Sequence, residues 1–148
     1  MKSVTFVCLG NICRSPVAQG CAMKYVKEHS LDIEIDSAGT SSYHIGEHPC
    51  PNSIKVCRSH NIDISKLKSS QISKADIEHF DLIVALDEQN LKDLKAMGAK
   101  NVRKLGDFAL NSKDIPDPYF YSGYDGFEKV YEMIEFCVAN LFENRSTL

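Results

Sequence analysis

The chain has 148 residues, of which 43% are hydrophobic and 25% are charged, and its net charge is −3 at pH 7. These values are typical of a soluble globular protein with one buried core, and the negative charge disfavours nonspecific nucleic-acid binding. The apolar run from Val4 to Leu9 is too short for a signal peptide or a membrane span, so we expect a cytoplasmic protein without a membrane partner.

The predicted elements alternate between strands and helices. Residues 3–8 are β-branched and apolar, as a buried strand requires, and Ser15-Pro16 is typical of a helix start. The later predicted elements are a strand at 33–37, a long loop at 38–51, a helix near 52–60, a capping box from Ser73 to Asp76, a strand at 80–86, a helix from 87 to 97, a strand at 101–105 and a helix over 127–142.

This alternation predicts an α/β fold, in which a four-stranded parallel sheet carries helices on both faces of a single three-layer domain over residues 1–148. In such sheets, ligands bind beyond the carboxyl ends of the strands. The turn from Cys8 to Ser15 follows the first strand at such an end. We therefore expect the chemistry of the protein at this turn.

Six cysteines are unevenly spaced, at positions 8, 13, 21, 50, 57 and 137. Because no export signal is evident, we expect reduced thiols rather than disulfides. The sequence has no pair of CxxC motifs, and its five histidines are scattered. We therefore expect no metal site and no cofactor.

The segment from Cys8 to Ser15 fits a C-x5-R-S pattern between a strand and a helix. Backbone N–H groups of such a turn converge on an anion, and the helix dipole reinforces the site. Arg14 can hold two phosphate oxygens at once, and the same positive field favours the thiolate of Cys8, which is the nucleophilic form. Ser15 can donate a hydrogen bond to that thiolate. The alternative is that Cys8 is a buried packing residue and Arg14 a solvated one.

The sequence around this turn, Val-Cys-Leu-Gly-Asn-Ile-Cys-Arg-Ser-Pro, resembles the active-site signature of the low-molecular-weight protein tyrosine phosphatase family. The resemblance continues, in the same order, in the segments 36–40, 86–90 and 117–119 and in His60. It covers nearly the whole chain. The phosphate-binding loop that it implies comprises Leu9, Gly10, Asn11, Ile12, Cys13 and Ser15, with Cys8 and Arg14 as catalytic residues.

The resemblance also implies a general acid, Asp117, which would protonate the leaving phenolate and then activate water against a phosphocysteine intermediate. Without the resemblance, we would interpret Asp117 as an ordinary turn residue between two prolines. Asp114 is the alternative acid. The scheme needs no metal.

Supporting residues are implied in the same way. Asn11, Ser15, Ser37 and His60 match a hydrogen-bond network that holds the loop in shape. Cys13 matches a cysteine that forms a reversible disulfide with the nucleophile and protects it from deeper oxidation, and the alternative is a small packing residue.

Two aromatic residues, Tyr43 and Tyr119, are the candidates for a rim that accepts a phenyl ring. Many relatives have Trp where Tyr43 stands, which leaves a rim that is narrower or more polar. Related arginine phosphatases carry Thr at the position of Ile12, so Ile12 favours phosphotyrosine. We therefore expect tyrosine-phosphorylated proteins as substrates, and a monomer or at most a weak dimer.

Three alternatives remain open. A protein arginine phosphatase and a thiol-dependent arsenate reductase share the expected fold. The reductase needs two further redox cysteines near residues 80–90, whereas Cys50 and Cys57 lie elsewhere. A noncatalytic phosphoprotein-binding module would be expected to lack Cys8 or Asp117, and both are present.

Overall fold

A computed structural model of the protein describes residues 1–121 and 123–148, and the side chain of Phe120 lies outside that description. Within these two ranges, four strands form one parallel sheet in the order β2-β1-β3-β4. The strands are β1 (Ser3–Cys8), β2 (Glu34–Gly39), β3 (Leu82–Ala85) and β4 (Val102–Lys104). The predicted fold class is therefore confirmed.

The central strand β1 is buried along its whole length, which explains its continuous apolar sequence. Its side chains alternate between two cores. Val4, Phe6 and Cys8 face the larger core, whereas Val7 faces the smaller one. Because β1 pairs with β2 on one side and β3 on the other, Cys8 emerges near the middle of the sheet edge.

In the described part of the chain, five α-helices cover the two faces. They are α1 (Ser15–Glu28), α2 (Pro51–Ser59), α3 (Lys74–His79), α4 (Glu88–Ala96) and α5 (Asp125–Glu143). Helices α1, α2 and α5 pack on the larger core, and α3 and α4 lie over the smaller one. Within the described ranges, no helix is long and apolar enough to cross a membrane.

The observed boundaries follow local chemistry at most elements. The predicted capping box at α3 is present, since Ser73 Oγ accepts from Asp76 N and Asp76 Oδ2 accepts from Ser73 N. Helix α4 ends before Gly98, which has a φ of +95°. Strand β2 extends two residues past the predicted end, because Ala38 and Gly39 pair with Val7 and Cys8 of β1.

Three free cysteines are core residues, which leads to a prediction about their reactivity. Burial raises the pKa of Cys57 to about 12, that of Cys137 to about 11, and that of Cys21 as well. Because the thiolate is the reactive form, iodoacetamide at about pH 8 should label Cys8 of the folded, reduced protein and leave these three unlabelled. Peptide mass spectrometry measures the labelling, and unfolding in urea should expose all three. Labelling of Cys57 at the rate of Cys8 would contradict this expectation.

Candidate active site

The turn between β1 and α1 wraps its backbone around the sulfur of Cys8. The backbone N–H of Asn11 donates to Cys8 Sγ at 3.3 Å, and Ser15 Oγ lies 3.0 Å from the same sulfur. Asn11 adopts a left-handed conformation with a φ of 56°, which Asn tolerates better than most residues. Cys8 is only 3% exposed, yet it lines a cavity that opens at this turn.

Helix α1 begins directly at the turn. Pro16 occupies its first turn, and among the described residues no side chain caps its N-terminus. The first N–H groups of the helix are therefore left to a ligand or to solvent, and the helix dipole favours an anion there.

Arg14 is fixed by two contacts of one nitrogen. Its Nη1 donates to Asp87 Oδ2 at 2.7 Å and to the carbonyl oxygen of Ile115 at 3.0 Å. Asp87 in turn caps α4 by accepting from the backbone N–H of Asn90. Arg14 lines the same cavity as Cys8. The orientation of the planar guanidinium is thus set before a ligand arrives, and its remaining N–H groups can bind an oxyanion in a forked geometry.

A buried network of uncharged side chains supports the turn from below. Asn11 Nδ2 donates to Ser15 Oγ at 2.7 Å and to Ser37 Oγ at 2.9 Å. Ser37 donates to Gln19 Oε1, and Ser70 N donates to Asn11 Oδ1. Because Ser15 Oγ accepts from Asn11, its own proton is free to be donated to Cys8 Sγ.

The expected fourth member of this network, His60, lies elsewhere. Its ring stacks on Tyr131 with centroids 4.0 Å apart, and its Nε2 lies 3.9 Å from Glu128 Oε2. His60 follows the last turn of α2, which points it towards α5 rather than towards the turn. Gln19 and Ser70, rather than His60, complete the hydrogen-bond network around Asn11 and Ser37.

Replacing Asn11 with alanine should weaken both the fold and the site. The change removes two side-chain donations and places alanine, which tolerates a positive φ less well than asparagine, at this position, so the free energy of unfolding should fall by about 2–4 kcal/mol. Urea denaturation measures this loss. Asn111→Ala is the matched control, because Asn111 has a φ of 53° but is exposed. Equal losses in the two variants would mean that the network adds nothing.

The cavity above the turn has a volume of about 190 Å³. Its floor is formed by the turn, and its walls come from the β2–α2 loop and from the segment after Ile115. The lining residues are Cys8, Leu9, Gly10, Ile12, Cys13, Arg14, Ser41, Tyr43, His44, Asp117 and Tyr119. Tyr43 and Tyr119 are 83% and 64% exposed, so the structure brings both predicted rim tyrosines to the mouth of the cavity.

Sequence reasoning missed two lining residues, Ser41 and His44. His44 Nδ1 lies 2.7 Å from Glu47 Oε2. A Cβ at Gly10 would lie 3.0 Å from His44 Cδ2, so the imidazole would have to move by a few tenths of an ångström. The small glycine therefore lets the histidine approach the turn. The only signal available from the sequence was that both residues belong to the predicted loop at 38–51.

The two candidate acids have different surroundings. Asp117 lines the cavity, and its Oδ1 accepts from the backbone N–H of Tyr119 at 3.0 Å. Asp114 instead accepts from Glu88 N and forms an ion pair with Lys104 at 3.0 Å. Of the two, the structure therefore brings only Asp117 to Cys8 and Arg14. Its segment is anchored nearby, where Ile115 N donates to the carbonyl of Leu86.

Cys13 is joined in a disulfide to Cys50, with the two Cα atoms 5.4 Å apart. This differs from the expected reduced thiols. Cys8 is a free thiol, and the reversible pairing of Cys13 with Cys8 that the resemblance implies stays a prediction. The reason is that α2 begins directly beside the turn. Cys50 N donates to the carbonyl of Ile12, and Ser53 Oγ donates to the carbonyl of Cys13.

The site thus combines a thiol, the backbone of a turn, an arginine and a carboxyl group at one cavity. These are the groups needed to displace an ester oxygen from phosphorus. The sulfur can attack, the backbone N–H groups of the turn and Arg14 can stabilise the equatorial oxygens, and a carboxylic acid can protonate the leaving group.

Known proteins are similar to this chain in sequence and in fold. The model of the family described as low molecular weight phosphotyrosine protein phosphatase matches residues 3–147. The chain is 35% identical to the low molecular weight protein-tyrosine-phosphatase PtpA of Staphylococcus aureus (strain Newman), over 97% of this chain and 93% of that protein. It resembles a crystal structure of a protein tyrosine phosphatase from Entamoeba histolytica, with a TM-score of 0.91, 33% identity and coverage of 99% and 98% of the two chains. It also resembles the Drosophila arginine phosphatase, with a TM-score of 0.90, 30% identity and coverage of 98% of each chain. The chain therefore belongs to the low molecular weight phosphotyrosine protein phosphatase family.

Proposed function

We propose that Cys8, Arg14 and Asp117 carry the reaction of this cysteine-dependent phosphatase, and that its substrate is phosphotyrosine in proteins. The observation that supports this assignment most directly is that all three residues line one cavity whose mouth carries two tyrosines. The cavity accommodates a phosphoryl group at its floor and an aromatic ring at its rim.

In the first step, the Cys8 thiolate attacks phosphorus and the bond from phosphorus to the ester oxygen breaks. Asp117 gives its proton to the departing phenolate, and a phosphocysteine remains. In the second step, Asp117 takes a proton from water as the water oxygen attacks phosphorus. Phosphate leaves and the thiolate returns. Arg14 and the backbone N–H groups of the turn stabilise the charge on the equatorial oxygens in both steps.

The rim supports a preference for aryl phosphates. Tyr43 and Tyr119 are positioned to contact a phenyl ring, and Ile12 adds an apolar surface to the cavity. A phosphoguanidinium leaving group gains nothing from an isoleucine at this place. The substrates that we propose are therefore tyrosine-phosphorylated proteins, in a reducing compartment such as the cytosol, which keeps Cys8 in its thiol form.

The test compares phosphate release from phosphotyrosine, phosphoserine and phosphoarginine peptides of one sequence, with reduced enzyme and a chelator present. Rapid acid quenching followed by peptide mass spectrometry should find one phosphoryl group on Cys8. Turnover of phosphotyrosine with that adduct supports the proposal. Faster turnover of phosphoarginine would reassign the substrate, and an adduct on any other residue would reassign the nucleophile.

Removing a rim tyrosine should weaken substrate binding more than chemistry. In Tyr43→Ala or Tyr119→Ala, KM for a phosphotyrosine peptide should rise about fivefold to tenfold with kcat nearly unchanged, because the lost contact is the same in ground and transition states. Steady-state kinetics measures both constants. Tyr121→Ala is the control, because Tyr121 is also exposed but does not line the cavity. A fall in kcat at constant KM would contradict a binding role.

A further inference from the structure

Three sulfurs lie at or beside the phosphate-binding turn, and only two of them are bonded. Cys8 and Cys13 line the same cavity, Cys13 is joined to Cys50, and Cys8 is free. Cys13 therefore lines the cavity together with Cys8 and is bonded to Cys50, the residue directly before α2.

We propose that Cys8, Cys13 and Cys50 form a thiol relay that reduces a hydroperoxide and returns Cys8 to its thiolate, with Cys50 as the resolving thiol. This inference rests on the proposed role of Cys8 as a thiolate nucleophile. It adds a reaction, reduction of a peroxide by a dithiol, to the hydrolysis of phosphate esters.

The reaction balances in three steps. First, the Cys8 thiolate attacks one oxygen of the hydroperoxide, the O–O bond breaks, and Cys8 becomes a sulfenic acid while an alcohol or water leaves. Second, the Cys13 thiol attacks that sulfur, releasing water and forming a Cys8–Cys13 disulfide. Third, the Cys50 thiolate attacks Cys13 Sγ, the bond to Cys8 breaks, and the Cys8 thiolate is released. The two electrons come from Cys13 and Cys50, and an external dithiol later reduces their disulfide.

The structure favours the third step, because it holds Cys50 beside Cys13. Two hydrogen bonds hold the start of α2 against the turn, from Cys50 N to the carbonyl of Ile12 and from Ser53 Oγ to the carbonyl of Cys13. Cys50 is the residue directly before α2, so these two hydrogen bonds fix its position beside Cys13. Cys50 does not line the cavity and is itself buried. It can therefore reach Cys13 without competing for the phosphate site.

The product of the relay is the state that the structure records. In it, Cys13 is bonded to Cys50, and Cys8 at the floor of the cavity is a free thiol. We therefore expect the enzyme with this disulfide to be an active phosphatase, whereas the intermediate with a Cys8–Cys13 bond has no nucleophile.

The experiment follows recovery after a single oxidation. Fully reduced enzyme receives one equivalent of hydrogen peroxide, catalase removes the excess, and phosphatase activity is followed without reductant. Samples are alkylated at each time and their disulfides are mapped by mass spectrometry. The variants are Cys50→Ser, Cys8→Ser and, as a control for a thiol on the same helix, Cys57→Ala.

Wild type and Cys57→Ala should lose activity and regain it unaided as the Cys13–Cys50 disulfide accumulates. Cys50→Ser should stop at the Cys8–Cys13 disulfide, with unaided recovery at least roughly tenfold slower, and should regain activity when dithiothreitol is added. Cys8→Ser should form the Cys13–Cys50 disulfide far more slowly, because the peroxide enters at Cys8. Equal recovery in Cys50→Ser and wild type, or equally fast disulfide formation in Cys8→Ser, would overturn the relay. Disulfide mapping tests the relay even if the untreated enzyme releases no phosphate. An untreated enzyme without phosphatase activity would instead overturn the proposed function.

Discussion

Replacing Cys8 with serine should abolish phosphate release, with kcat lower by about 10⁴-fold or more. A serine hydroxyl at this position is not ionised, so it cannot attack phosphorus as the thiolate does. Binding should survive, because the contacts that fix Arg14, with Asp87 and with Ile115, do not involve the sulfur. Steady-state kinetics with a phosphotyrosine peptide measures the first effect, and calorimetry with inorganic phosphate measures the second.

Cys137→Ala is the control for loss of a thiol, since Cys137 is a free, buried cysteine on α5 that does not line the cavity. It should keep its kcat while losing some thermal stability. A Cys8→Ser enzyme with turnover close to that of wild type would show that another group attacks the phosphate.

Replacing Asp117 with asparagine should slow the enzyme most for substrates whose leaving group is a strong base. An alkyl-substituted phenolate needs a proton as it leaves, so kcat/KM, which reports the first chemical step, should fall by about 10²–10³-fold, whereas a nitrophenolate leaves without help and should lose far less. A plot of kcat/KM against the pKa of the leaving phenol should therefore be steeper in the variant. A series of substituted phenyl phosphates measures that slope.

Asp114→Asn is the matched control, because Asp114 lies three residues away and is held by Lys104 and Glu88 instead of lining the cavity. Its slope should equal that of wild type. A steeper slope for Asp114→Asn with an unchanged slope for Asp117→Asn would show that Asp114, and not Asp117, is the general acid.

The parts of the site that the sequence predicted are those set by residues close together in the chain. Cys8, Asn11, Arg14 and Ser15 lie within one strand–turn–helix unit, so their proximity follows from the backbone alone. The same holds for the capping box at Ser73, whose partners are three residues apart. Strand β1 was predicted for a similar reason, since a continuous β-branched and apolar run is required of a strand buried on both faces.

The contacts that the sequence did not predict join segments that are far apart in the chain. Ser70 meets Asn11 across 59 residues, and Cys50 meets Cys13 across 37. Both contacts require the position of the long segment after β2, which neither periodicity nor turn residues determine. His60 was misplaced for the same reason, because the last turn of α2 directs its ring to Tyr131 and the sequence does not specify that direction.

The uncharged character of the network beneath the turn has a consequence for how the enzyme should respond to acid and base. Asn11, Ser15, Ser37 and Gln19 hold the turn with amide and hydroxyl groups, none of which titrates between about pH 4 and pH 9. Protonation therefore does not loosen these bonds in that interval. The limbs of a bell-shaped pH–rate profile should report the groups that exchange protons in the reaction, rather than an opening of the loop that holds them.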